Sequence, residues 1–152
     1  MPVPGLSLII PCYNEAGRVE LLLKGLAAFD RQWTGLYEIL LVDDGSTDDT
    51  FARIQQHAHY HALKQKHNIR MLQQSNHGKG HALRTGILQA TQAFVLTLDA
   101  DMSASPMELQ YWMPDETSWQ QQVIWIGSRE LAASAIKEKP WRKYVGHVFN
   151  YT

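Results

Sequence analysis

The sequence predicts an α/β fold, a largely parallel sheet with helices on both faces, and three observations predict it. Short apolar runs rich in strand-forming residues recur along the chain, segments with a 3.6-residue apolar period lie between them, and capping sequences mark helix starts. Taken in order, the first strand is expected at Leu6–Ile10. The first helix follows, with Val19, Leu22, Leu23 and Leu26 on one face. A second strand is expected at Glu38–Val42, then a second helix carrying Phe51, Ile54 and Ala58, with Ser46-x-x-Asp49 as its capping sequence. The third strand is expected at Ile69–Leu72, and the third helix shows Leu83, Ile87 and Ala90. A fourth strand is expected at Phe94–Leu98, a short helix opened by Ser105-Pro106-Met107-Glu108, and a fifth strand at Val123–Gly127.

Composition narrows the class. A chain of 152 residues with 45% hydrophobic content suffices for one core, and a net charge of −1 gives no basic field of the kind that marks nucleic-acid binders. The single Cys12 has no internal disulfide partner, which fits a reducing compartment. No basic segment precedes Leu6, and no apolar stretch approaches the ~20 residues a membrane span needs, so the visible chain reads as soluble.

The chain from Lys137 through Lys139, Trp141, Arg142, Lys143, Tyr144, Val145, Val148 and Phe149 reads as a basic amphipathic helix. Two placements fit it: against a further part of the same protein, or on a membrane surface. The expected organisation is a core over residues 1–130, with 131–152 beginning another region.

In open parallel sheets, ligands bind beyond the carboxyl ends of the strands. Here those ends lead into Pro11-Cys12-Tyr13-Asn14-Glu15, Asp43-Asp44-Gly45-Ser46, Asp99-Ala100-Asp101 and Gly127-Ser128-Arg129. Buried strands exclude charge, so acids at a strand tip sit where the sheet meets solvent or ligand. Alternate residues of an extended segment point the same way, roughly 6.5 Å apart. A turn after Leu98 can therefore bring Asp99 and Asp101 to one hard cation. Two acids facing water is the competing reading of that motif alone.

The residue types suggest a ligand. Tyr13 can cover a planar base, and Asp44 can accept bonds from a base N–H or ribose hydroxyls. Asp99 and Asp101 repel phosphate, so they imply a divalent cation between them and a diphosphate. Arg129 offers a fork of donors to an anion. A nucleoside diphosphate with Mg²⁺ or Mn²⁺ meets these needs. Asn76-His77-Gly78-Lys79-Gly80-His81 opens the third helix, where glycines allow close backbone approach and the helix start favours anions.

Two other candidates fare worse. His57 and His61 have the spacing of a helical metal pair, but no neighbouring acid or cysteine completes a site, and a solvated face is the better reading. Cys12 lacks an activating base nearby in sequence and reads as a packing residue.

Together these segments resemble the inverting glycosyltransferase family 2, with its Rossmann-like GT-A nucleotide-sugar-binding fold. The matching pieces are Ile10–Glu15, Val42–Thr50, Asn76–Gly80, Leu98–Met102 and Gly127–Arg129, in the family's order and spacing. The Gly78-Lys79-Gly80 and Gly127-Ser128-Arg129 segments and the basic helix, with Gly146 and Phe149-Asn150, look most like the branch that acts on polyprenyl and dolichyl phosphates. The resemblance implies nucleotide-sugar contacts from Pro11, Tyr13, Glu15, Val42, Asp44, Lys79, Asp99, Ala100, Asp101 and Arg129. It implies a metal, Mg²⁺ or Mn²⁺, held by Asp99 and Asp101. Some relatives carry Gln two residues beyond the second Asp; Ser103 stands there in this chain.

The implied reaction moves a hexose from a UDP- or GDP-sugar to a polyprenyl phosphate with inversion, at the cytoplasmic face of a membrane. A saccharide or cell-wall acceptor, and a nucleotide-binding fragment without activity, are the alternatives. The family continues through a Cys-Gly-Phe-type acceptor segment, so the chain is expected to be the donor-binding half of a longer enzyme. An apolar strand ending in Asp-x-Asp also resembles aspartyl-nucleophile phosphatases. There, however, the motif follows the first strand and has Thr or Val two residues beyond the second Asp, where this chain has Ser103.

Overall fold

The computed structural model describes residues 5–66, 68–113, 119 and 124. The chain divides into two compact units, residues 1–121 and 122–152, and apart from Ile124 every described residue belongs to the first. The expected strand Val123–Gly127 (Ile124 excepted), Arg129 and the basic segment 131–152 lie outside the described residues.

Parallel strands β1 (Leu6–Cys12), β2 (Tyr37–Asp43), β3 (Asn68–Gln73) and β4 (Phe94–Thr97) form a 4-stranded sheet in the order β3-β2-β1-β4. The central strands β1 and β2 are apolar almost throughout because both faces of the sheet are covered. Alternation along β1 assigns each side chain to a layer. Leu6, Leu8, Ile10 and Cys12 join Val19, Leu22, Leu23, Leu26 and Phe29 of α1 (Val19–Gln32) in the larger core. Ile9 turns the other way, with Leu40, Val42 and Ala82 of α4 (Lys79–Gln89). Each buried Leu or Ile contributes about 1.5–3 kcal/mol, so these layers set the stability of the unit.

α4 docks through Ala82 and Gly86, with Leu83 and Ala90 of the expected face packed partly buried beside them. Ala82 and Gly86 are buried, whereas Ile87 is 46% exposed. A Cβ on Gly86 would lie 2.3 Å from Ile9 Cγ2, so only a residue without one lets the helix backbone settle this closely. Of the three residues at the 3.6-residue spacing, Ile87 alone is turned out to solvent.

The second expected helix is two helices, α2 (Thr50–Gln56) and α3 (Ala58–Lys66), separated by His57 in an extended conformation (φ −78°, ψ 136°). His57 Nε2 is 2.6 Å from Glu20 Oε2 on α1, so this imidazole is spent on α1 rather than paired with His61. Among the described residues no group of three or more His, Cys, Asp or Glu is placed to hold a metal. Ser46 does not cap α2: its hydroxyl donates to Asp43 Oδ1, and Asp48 Oδ1 accepts from the Thr50 amide (3.0 Å) instead. Ser105 does cap as expected, accepting from the Met107 amide at 3.2 Å, with Pro106 opening a 3-10 turn, Pro106–Glu108, that continues into α5 (Leu109–Trp112).

Near the amino-terminal end of β2, Glu38 is only 1% exposed. Its carboxylate accepts from Ser7 Oγ (2.7 Å), the Thr91 amide (2.5 Å) and hydroxyl (2.8 Å), and Arg70 Nη2 (3.0 Å). Burial pushes this carboxyl up, yet the bonds from Ser7, Thr91 and Arg70 prevail and hold it below the usual range.

Candidate functional site

The register brings Cys12, Asp43 and Gln73 level, so β1, β2 and β3 end together. β4 stops at Thr97 opposite Ile9, and the Leu98 amide donates to Ile9 O (3.0 Å), carrying Asp99 beyond the sheet beside the other tips. The polar segments therefore meet at one end because of the parallel arrangement.

The β1 and β2 loops are stitched to each other. Asn14 has φ 54°, one of two positive-φ residues other than glycine among those described. Its amide donates to Ser46 Oγ (3.0 Å), and its Oδ1 accepts from the Thr47 amide (2.8 Å). The Glu15 amide donates to Thr50 Oγ1 (2.7 Å), while the Glu15 carboxylate receives Arg18 Nη1 (2.8 Å). Tyr13 is left 46% exposed at the rim of this loop. Cys12 beneath it is 1% exposed, and burial, with Asp43 and Glu15 adding to it, pushes its thiol up to about 12. It is a packing residue, and its thiolate is not accessible to chemistry near neutral pH.

Asp44 is 2% exposed, and its carboxylate ties down the loop after β3. It accepts from Gln74 Nε2 (2.7 Å) and from the amides of His77 (3.1 Å) and Gly78 (2.7 Å). Burial works against its charge, but these bonds outweigh it and keep the carboxyl below its ordinary value. Gly45 permits the approach, since at φ 70° a Cβ would sit 2.7 Å from the Asn76 amide nitrogen.

Gln74 was not picked out from the sequence. Its amide donates to Asp44 and lies 3.0 Å from His81 Nδ1, while its carbonyl accepts from Thr85 Oγ1 (2.7 Å). Nothing in the string Leu72–Asn76 marks it, because its partners come from other elements.

The Asp99–Met102 turn closes with the Met102 amide on Asp99 O (3.2 Å), and Asp101 Oδ1 accepts from the Ser103 amide (2.9 Å). Met102 is the second positive-φ residue (φ 52°), and a Cβ on Gly25 of α1 would lie 3.2–3.3 Å from its side chain. The turn is thus pegged to the first helix. Asp99 receives Lys79 Nζ at 2.5 Å, with both side chains well exposed (49% and 62%). Arg18, raised first by its bond to Glu15, also feels the charge of Asp101.

Two further residues of the expected contact set have buried side chains. The Val42 side chain is fully buried against Ile9, Leu40 and Ala82, which leaves its backbone as the part that could meet a nucleotide. Ala100 is 5% exposed and faces the core rather than the solvent side, because the turn directs the flanking acids outward. Arg129 lies outside the described residues.

A hard divalent cation suits what remains. Asp99 and Asp101 supply charged oxygens at the rim, and Asp99 already carries a cationic partner. Mg²⁺-like ions are commonly held by one or two carboxylates, with substrate phosphates and water completing the shell.

The family model described as Glycosyl transferase family 2 matches residues 7–114. Among curated proteins, the undecaprenyl-phosphate 4-deoxy-4-formamido-L-arabinose transferase of Sodalis glossinidius is 36% identical over 109 residues, 72% of this chain and 32% of the relative. The protein of the same name from Photorhabdus laumondii is 37% identical over 103 residues, 68% of this chain and 31% of its own length. The chain thus spans about a third of these relatives.

Among solved structures, S. aureus TarS 1-349 in complex with UDP aligns with a TM-score of 0.53 at 31% identity, over 64% of this chain and 27% of that one. The mannosyltransferase PcManGT from Pyrobaculum calidifontis, in complex with GDP-Man and Mn²⁺, aligns with a TM-score of 0.58 at 25% identity, over 76% of this chain and 36% of that one. The sheet order and the helices on both faces are those of the Rossmann-like GT-A arrangement.

Proposed function

This chain belongs to glycosyl transferase family 2, and from that premise we propose that it binds the donor for transfer of a sugar from a UDP- or GDP-sugar to a polyprenyl phosphate. The observation that carries the reading is the Asp99–Ala100–Asp101 turn, which follows β4 at the carboxyl end of a parallel sheet and meets Lys79 there. The lipid-phosphate acceptor is supported by the names of the bacterial relatives, and the nucleotide by the UDP and GDP-Man bound in the two aligned structures.

In this reading Asp99 and Asp101 hold Mg²⁺ or Mn²⁺, a metal supported by the Mn²⁺ in PcManGT. When bound, the ion supplies positive charge to the departing nucleoside diphosphate. Exposed Tyr13 gives a base a face to lie on, beside Pro11. Asp44 has one acceptor position left after its three bonds, enough for a single base or ribose donor. Lys79 and Arg129 serve the phosphates. A lipid phosphate is already ionised and needs no strong base, so none is assigned.

Residues 1–130 form the donor side, and 131–152 begin the acceptor side, at the cytoplasmic face of a membrane. Among the described residues no helix is long and apolar enough to cross one. The family resemblance suggests a hexose, whereas the relatives' names carry a modified arabinose, so a donor panel must include both.

The test is titration of UDP and GDP with Mn²⁺. In Asp99→Asn and Asp101→Asn, binding falls by about tenfold or more while Tm stays put. Unchanged titration in both variants sinks the reading. A narrower form of the reading is donor binding without transfer. Assays of transfer to a polyprenyl phosphate and of bare donor hydrolysis on this chain separate the two forms.

A further inference from the structure

Lys79 occupies a position that a simple phosphate contact does not explain. Asp44 fixes the loop from Gln74 to Gly78 through one side-chain and two backbone bonds, and the next residue along is Lys79. α4, which Lys79 opens, is seated on the sheet through Ala82 and Gly86. The base of the side chain is therefore held by the fold, and its ammonium comes to rest on Asp99 Oδ1. The Lys79 side chain is 62% exposed, so solvent borders most of it. With both partners largely exposed, the ion pair is weak and readily exchanged.

We propose that Lys79 is a resident counter-ion for Asp99, which a divalent cation must displace and which, once displaced, serves the donor diphosphate. The inference rests on the metal–diphosphate reading above and adds an order of occupation to it. With the ammonium in place, the charge of Asp99 is balanced and its repulsion of neighbouring acids is reduced. When a doubly charged cation takes Asp99, it repels the ammonium, and an arriving diphosphate offers that ammonium a new anion within reach of its four-carbon stem. Lys79 therefore opposes the metal alone and favours the metal with nucleotide. A residue that only touched the donor would show the second effect without the first.

The experiment is Mn²⁺ titration of the 152-residue chain and of Lys79→Met, followed by the electron paramagnetic resonance of free Mn²⁺, first without nucleotide and then with UDP or GDP. Lys79 is on the surface, and thermal melting without metal checks that the variant is folded. Without nucleotide, Lys79→Met is expected to bind Mn²⁺ about 2–5-fold more tightly, the size of an exposed ion pair. With Mn²⁺ saturating, it is expected to bind the nucleoside diphosphate several-fold more weakly. Equal or weaker Mn²⁺ binding by the variant alone overturns the counter-ion role while leaving the metal reading intact. A wild-type chain that binds no Mn²⁺ under any condition overturns both.

Discussion

The two ends of the sheet use the same functional group in opposite ways. Near the amino-terminal end, Glu38 is buried and receives bonds from Ser7, Thr91 and Arg70. Near the carboxyl end, Asp99 is 49% exposed and receives the exposed Lys79. Glu38 has its partners supplied by the fold and nothing left to offer. Asp99 has a partner that can leave. Asp44 stands between them: it lies at the ligand end and is buried like Glu38, with most of its acceptor capacity spent on a loop. A buried acid at a strand tip is thus no guide to chemistry until its partners are counted, and exchangeability distinguishes the two ends better than burial does.

The contrast breaks most visibly in stability. Glu38→Gln cannot accept all of these bonds and leaves Arg70 without its anion, so it is expected to cost about 2–3 kcal/mol. That lowers Tm by several degrees without changing nucleotide affinity in the folded fraction. Asp99→Asn should do the reverse, with little change in Tm and loss of metal-dependent binding. Urea unfolding of the two variants, paired with nucleotide titration, checks both; equal stability loss in the two removes the distinction.

A smaller effect is expected with pH. Glu38 and Asp44 both have folded-state carboxyls held below their ordinary values. Their contribution is therefore fully present above the unfolded-state values, near pH 4, and is lost as pH falls through the folded-state values. The urea midpoint should fall steadily below about pH 4, and the fall should be shallower in Asp44→Asn. An equally steep fall in that variant removes Asp44 from the set.

Much of this layout was legible in the sequence, for identifiable reasons. β1 and β2 declared themselves because burial on both faces demands uninterrupted apolar runs, and β3 and β4 by short apolar runs at the sheet's margins; the structure extends each of the first three at one or both ends. β4 stops one residue sooner than expected, at Thr97. The Asp99–Asp101 turn was legible because charge cannot continue a buried strand.

What escaped depended on residues distant in sequence. The break at His57 follows its engagement with Glu20, 37 positions away, and Ser46 turned from capping to Asp43 once β2 ended there. The part Gly86 plays in docking α4 was hidden because it contributes by lacking a side chain, which no apolar pattern records. The burial of the Val42 and Ala100 side chains was equally invisible in the family motif, which records positions and not layers.

The most direct measurement is the amide spectrum of the chain with UDP or GDP before and after substoichiometric Mn²⁺, whose unpaired electrons broaden nearby signals. Loss of the Ala100–Ser103 and Gly78–Lys79 signals, with Glu38, Arg70 and Thr91 retained, is the expected result. Broadening centred on the Glu38 end, or spread evenly over the surface, would contradict a donor–metal site at the carboxyl end of the sheet.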